Sequence, residues 1–313
     1  MSAGPLFAAP RPRLDRAPLG GVVAVAIADL RRRPDHKSEL VSQALFGETL
    51  VAERLSPDGR WLLVRGTDDY KGWVRTWSVA TGTARDLARW RRSATRIVDR
   101  PWLWRGEPGT TSGGPLPFGG PLPFGARLAP RPGGGFDGPL GPLALGRAAG
   151  AGAGAFRTVP KARGRSRGDR LRRALVRTGR SFLGVPYLWG GRSPAGLDCS
   201  AFVQLVYARH DLAFPRDAQD QCTRVGGPRR LRTFDQALQG GPSQGPRAGD
   251  LWFFGPKTGE ITHVALSTGG LELLHAYGQV TVGSLNPEHP AFEPELFRAV
   301  CGWSVVLRIL GMG

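Results

Sequence analysis

Cysteine is scarce in this 313-residue chain, which holds three, at 199, 222 and 301. An odd and small number excludes a disulfide framework and suits a reducing compartment, or at least one free thiol. Long apolar runs are missing too. None approaches transmembrane length, and the opening MSAGPLFAAPRPRLDRAPLGG offers no signal-peptide core. The expectation is a soluble, cytoplasmic protein without membrane insertion. Lysine occurs only at 37, 71, 161 and 257, although Lys and Arg together number 43 against 25 Asp and Glu. Arginine therefore carries the net charge of +18. It is enriched together with Ala, Gly and Pro, and its clusters (DLRRRPD, ARWRRSATR, GRSRGDRLRRALVR) read as solvated faces. Such charge permits attraction to polyanions. No recognition motif accompanies it, so no nucleic-acid partner is expected. Histidine is also sparse, at five, which narrows the search for a catalytic base.

What is present divides the chain. Residues 1–18 read as a loose leader. From 19 to 80, short alternating strands (TLVAERL, RWLLVRG, GWVRTW) are punctuated by the turns FGET, SPDGR and GTDDYKG. That spacing predicts a small β-barrel. Residues 81–160 hold strand-sized pieces, RIVDRPWLW, PFGARLA and GAFRTV, between many glycines and prolines. They read as a second barrel with long loops, with a semi-disordered spacer as the alternative. From about 165 the pattern becomes helical. SRGDRLRRALVRTGRSFLG sets Leu171, Leu175 and Val176 on one face, with Gly184 to end it. Helices at CSAFVQLVYARH and PRDAQDQCTRV follow. Strands are then expected at 250–255, 263–268, 271–278, 279–285 and 303–310. Helices first and an antiparallel sheet afterwards describe an α+β domain over 165–311.

One stretch carries chemistry: YLWGGRSPAGLDCSAFVQLVYARH, residues 187–210. Cys199 stands between a glycine-rich loop and the first turn of a helix. A helix N-terminus lowers a thiol pKa and supplies unbonded N–H groups for an oxyanion. A buried structural cysteine is the alternative that position alone leaves open. His263 opens the run HVALST, and His275 follows in the next strand. On one face of a hairpin, one imidazole can meet the thiol while the other orients it. His36, His210 and His289 fall in turns or near element ends and read as solvent-facing. A zinc site from Cys199, His263 and His275 has permissible ligand types, but no close-spaced ligand pair accompanies it. No metal and no cofactor are expected. Asp250, in AGDLWFF, reads as a turn-former at a strand start.

FLGVPYLWGGRSPAGLDCSAFVQLVY, FPRDAQDQ, RAGDLWFF, THVALSTG and LLHAYG together resemble the NlpC/P60 family of cell-wall cysteine endopeptidases, over roughly residues 165–311. The resemblance implies a papain-like α+β catalytic domain. It implies Cys199 as nucleophile, His263 as base and His275 as orienting member, with Tyr187 lining the site near the oxyanion. Residues 23–74 resemble a bacterial SH3-like domain. In one subgroup of the family two such barrels precede the peptidase, and its members are γ-D-glutamyl-L-diamino acid endopeptidases. These trim murein peptides carrying a free N-terminal L-alanine, and their first barrel closes one end of the cleft. A desolvated α-ammonium needs a carboxylate. Asp198 and Asp217 are the candidates, with Ser200 adding a hydrogen bond and Glu48 or Tyr70 contributing from the barrel. Arg192 or Arg216 would meet substrate carboxylates. The chain departs from the family pattern at Ala201, at Asp217–Ala218 and at Ala265–Leu266–Ser267. None of these removes a catalytic group. An amidase or acyltransferase on the same Cys–His pair, and a wall-binding protein without activity, remain alternatives.

Overall fold

The computed structural model describes residues 20–103, 121–143, 155–158, 168–239, 244–256 and 258–309. The expected leader and much of the glycine-rich part of 81–160 lie outside the described residues. The chain forms two compact units, residues 1–160 and 161–313. No described helix is long and apolar enough to cross a membrane.

The first unit begins with seven antiparallel strands: β1 (Gly20–Val23), β2 (Ile27–Arg31), β3 (Leu40–Leu45), β4 (Thr49–Leu55), β5 (Trp61–Arg65), β6 (Lys71–Arg75) and β7 (Val79–Gly82). They form one sheet in the order β3-β2-β6-β5-β4-β1-β7. Alternating inward residues, among them Leu30, Val41, Leu50, Leu62, Val64 and Val74, make its core. The turns fall where the sequence placed them. Gly47 turns the chain at φ +78°, and a Cβ there would sit 2.2 Å from the Arg127 carbonyl oxygen, so only glycine fits.

The barrel expectation is corrected here. The sheet is open: β3 and β7 are its edges and do not pair with each other. β2 meets β6 through a single pair, Arg31 with Trp73. Register slips at Leu30/Arg31 and Ala52/Arg54 interrupt the ladders. Alternation and turns specify which strands exist and which neighbours they meet. Closure depends on tilt and stagger across the whole sheet, and no local pattern encodes those.

The same holds further along. Helix α1 (Ala84–Ser93) starts at a Thr83–Asp86 capping box, in which each side chain takes the other residue's orphan N–H. After it come β8 (Arg96–Val98), β9 (Trp102–Leu103), β10 (Leu122–Pro123), β11 (Arg127–Pro130), β12 (Phe136–Gly138), β13 (Gly141–Leu143) and β14 (Phe156–Thr158). Five of these make an open sheet, β13-β12-β11-β8-β14, and β9 pairs with β10. The described part of 81–160 is therefore structured, but not as a second closed barrel. Trp90 of α1 is fully buried and donates its indole N–H to the Gly47 carbonyl at 2.8 Å.

The second unit is α+β. Helix α2 (Gly168–Arg180) buries Leu171 and Leu175. The two-residue strands β15 (Arg192–Ser193) and β16 (Gly196–Leu197) pair in the loop before α3 (Cys199–Ala208). Every residue of α3 from Cys199 to Tyr207 is buried. Two short helices, α4 (Ala218–Arg224) and α5 (Phe234–Gln239), follow. The sheet comprises β17 (Leu251–Phe254), β18 (His263–Gly269), β19 (Glu272–Tyr277), β20 (Gln279–Ser284) and β21 (Val300–Ser304), all antiparallel in the order β20-β19-β18-β17-β21. The last strand ends earlier than expected: Val306–Ile309 is a helical turn rather than the end of a strand. Trp252, Phe254, Leu273, Leu285 and Trp303 form the core on one side of this sheet.

Candidate active site

Asp198 is the residue that starts α3. Its backbone is extended (φ −86°, ψ 175°), and its carboxylate accepts the Ala201 N–H at 2.8 Å. An aspartate N-cap satisfies one of the orphan donors of the first turn. The other carboxylate oxygen accepts the Gly190 N–H at 3.0 Å, which ties the glycine loop to the helix. Arg216 completes the arrangement. Its guanidinium grips Asp198 with two N–H groups, at 2.9 and 2.5 Å, and donates to Ser200 Oγ at 3.0 Å. Arg216 is 2% exposed and Asp198 7%. Asp198 and Arg216, both expected to touch substrate, are thus partners of each other. Gln221 of α4 adds a brace, donating to the carbonyls of Ser200 and Pro215 at 2.8 and 2.9 Å.

Cys199 therefore sits at the rigid start of a buried helix and is itself 7% exposed. Its sulfur faces the backbone N–H groups of Ser200 and Val264, the latter next to His263. Burial, and then the Asp198 charge, push the thiol up to about 12, against the pull of the Val264 amide, Arg216 and the Ser200 amide. The expected lowering by the helix N-terminus is reversed, because a helix end contributes about 0.3–1 kcal/mol and desolvation of a thiolate far more. Cys199 rests as a neutral thiol.

His263 and His275 meet as the hairpin requires. β18 and β19 pair Leu266 with Leu274. Continuing that register sets His263 opposite Tyr277, two residues along the same face from His275. His263 Nε2 and His275 Nδ1 are 3.1 Å apart, with the rings at 88°. Tyr277 stacks on His275 at an interplanar angle of 7°. Burial pushes His263 down to about 3, helped by the neighbouring His275, and His275 to about 4. Both imidazoles rest neutral. The hydrogen bond between them occupies two of the nitrogens a shared metal ion would need. Among the described residues, no three His, Cys, Asp or Glu side chains group as metal ligands.

Tyr187 is half-buried, and its backbone N–H donates to the Gly278 carbonyl at 2.8 Å, beside the end of β19. Burial, Cys199 and Asp198 push its phenol up to about 12, so it stays a hydrogen-bond donor. Asp217 precedes α4 and makes no capping bond there. Arg192 donates to Gln204 Oε1 at 2.6 Å. Glu48 and Tyr70 belong to the first unit. Glu48 accepts the Leu45 N–H at 2.9 Å, and Tyr70 packs against the core of the seven-stranded sheet. His36, His210 and His289 lie outside the Cys199 cluster: on the Trp61 ring, on Thr178 and at the Ala291 N–H respectively. Cys222 and Cys301 are free thiols away from any base named here, and burial raises both. Asp250 is fully buried with Arg172, 2.9 Å away, and accepts the Arg247 N–H.

Two residues near the site are not among the sequence candidates. Gln221 lies inside the FPRDAQDQ motif without standing out in it. Glu293 lies 3.7 Å from the Nε2 of His275 and comes from a segment whose sequence reads as an ordinary loop.

Comparison with known proteins agrees with this geometry. Residues 184–300 match the NlpC/P60 family, and residues 30–78 match the bacterial dipeptidyl-peptidase Sh3 domain. The Sh3 match covers one such domain, within the first of the two that were expected. A γ-D-glutamyl-L-lysine dipeptidyl-peptidase of Bacillus subtilis is 39% identical over 104 residues, 33% of this chain and 31% of that protein. Dipeptidyl-peptidase 6 of Lysinibacillus sphaericus is 33% identical over 129 residues, 40% of this chain and 41% of that protein. The chain thus spans well under half the length of these curated relatives. Among solved structures, an NlpC/P60 family protein from Bacillus cereus shares the fold with a TM-score of 0.67 at 20% identity, covering 91% of this chain and 98% of that one. A buried Cys–His–His cluster, at the head of a helix and against an antiparallel sheet, lies inside the matched segment. The second unit accordingly contains, over residues 184–300, a segment that matches the NlpC/P60 family, in a chain whose residues 30–78 match one bacterial SH3-like domain.

Proposed function

We propose that the chain hydrolyses the γ-D-glutamyl-L-diamino acid bond of murein peptides, with preference for those bearing a free N-terminal L-alanine. The observation that carries this reading is the placement of Cys199 at the head of α3, its sulfur against the Val264 amide beside the hydrogen-bonded His263–His275 pair. The family match and the names of the two relatives support the choice of bond.

His263 is the base. Its Nε2 is engaged with His275, which leaves Nδ1 to take the Cys199 proton. The sulfur attacks the side-chain carbonyl of D-glutamate. The developing oxyanion is met by first-turn N–H groups of α3 and by the Tyr187 hydroxyl. His263 then protonates the leaving amine, and the thioester is hydrolysed by water that His263 activates. Because the thiol rests neutral, proton transfer accompanies attack, and a solvent-exposed thiolate is avoided. Asp217 and Ser200 are proposed to receive the substrate ammonium, because the Asp198 charge is taken up by Arg216.

A digest of defined peptides tests this. L-Ala-γ-D-Glu-diaminopimelate should yield free diaminopimelate by mass spectrometry, and an N-acetylated alanine should slow the reaction. An intact peptide, or undiminished cleavage by Cys199→Ala, would overturn the reading.

A further inference from the structure

The hydrogen-bonded His263–His275 pair does not end well at His275. If His263 keeps Nδ1 free for the thiol, its proton sits on Nε2 and is donated to His275 Nδ1. His275 must then carry its own proton on Nε2. That nitrogen is buried and has no hydrogen-bond partner among the described residues. A buried N–H without an acceptor costs about 1–3 kcal/mol, so the tautomer the reaction needs is disfavoured unless something accepts it.

Glu293 is placed to do so. Its Oε1 lies 3.7 Å from His275 Nε2, just outside bonding distance. Its backbone is fixed, since the Glu293 N–H donates to the Ser284 carbonyl at 2.9 Å, while its side chain is 30% exposed and can adjust. The gap between the two is kept open by Gly283 of β20. A Cβ at that position would stand 3.0 Å from Glu293 Cγ and 3.2 Å from His275 Nε2. A glycine in a strand interior often marks such a close approach.

We propose that Glu293 is a fourth, positioning member of the relay: its carboxylate accepts the His275 Nε2 proton and balances the positive charge when His263 takes up the proton of Cys199. This rests on the reading of Cys199 and His263 as nucleophile and base. The other titratable groups here are Tyr277, stacked on His275, and Cys199, whose sulfur faces the amide of Val264 next to His263; β20 contributes none. Both imidazoles are strongly held neutral by burial, so a countercharge at the far end raises the proton affinity of the whole pair. Losing it lowers that affinity and should move the acid limb of the pH–kcat profile, set by protonation of the pair, to lower pH.

The test uses the full chain as wild type, Glu293→Gln and Glu293→Ala. Glu293→Gln keeps an acceptor but removes the charge. It should lower kcat roughly tenfold with KM and Tm unchanged, and move the acid limb down by about one unit. Glu293→Ala should lose more. Histidine ring ¹⁵N NMR of the resting protein provides the independent arm. His275 should carry its proton on Nε2, and that signal should move in both variants. A His275 protonated on Nδ1, or unchanged ring signals and kinetics in Glu293→Ala, overturns the proposal. If the murein peptides prove not to be substrates, the functional reading fails alone, because the ring signals still decide the role of Glu293.

Discussion

Arg216→Ala is the sharpest perturbation of this molecule. The guanidinium is 2% exposed and makes three of the bonds that fix the head of α3. Removing it leaves the Asp198 carboxylate buried with two backbone N–H partners and no countercharge. Breaking a buried pair from one side costs about 3–5 kcal/mol, a large fraction of the roughly 5–15 kcal/mol that holds a protein folded. For a unit of this size, that is a fall in Tm of about 6–20 °C. Denaturant titration of wild type, Arg216→Ala, Asp198→Asn and the double variant forms the cycle. The double variant should lose clearly less than the two single losses combined, because neither charge is then stranded. Arg216→Lys should recover only part of the stability, since one ammonium cannot reproduce the two-pronged grip. A loss below about 1 kcal/mol, the range of exposed pairs, would show that water reaches Asp198 and would refute the clamp.

Two further outcomes follow from the same geometry. His263 and His275 are depressed to about 3 and 4, so between those values and the ordinary histidine range the unfolded chain binds protons that the folded chain refuses. Stability is then complete above about pH 6.5 and falls as the pH drops through the range below it; Tm against pH should show this acid loss, and His275→Gln should flatten it. Gly283→Ala places a methyl between Glu293 and His275, so it should lower kcat by a factor similar to Glu293→Ala; full activity in that variant would mean that the gap is unused.

How far the sequence exposes this molecule differs from place to place. Cys199 was legible because a glycine loop, an aspartate cap and an apolar helix surround it. His263 and His275 were legible because strand alternation puts them on one face. The clamp was not: Asp198 and Arg216 stand 18 residues apart, and each alone looks like a substrate contact. Their pairing is a consequence of how α4 packs on α3. Glu293 was hidden for the same reason, lying 18 residues beyond His275 in a loop whose composition is ordinary. In the first unit, turns such as Gly47 and strands such as β4 and β5 could be placed from alternation alone. Whether their sheet closes could not, since that is settled by register slips such as the one at Ala52/Arg54.

The helix headed by Cys199 has no wet side along its first nine residues. Any enlargement there collides with a packed neighbour, and any charge is stranded, so residues 199–207 leave little freedom for substitution. Variation must instead come from the loop before it. In the glycine loop that Asp198 ties to the helix, Trp189 is 62% and Leu188 38% exposed, so a change of side chain there leaves the packed helix beneath undisturbed.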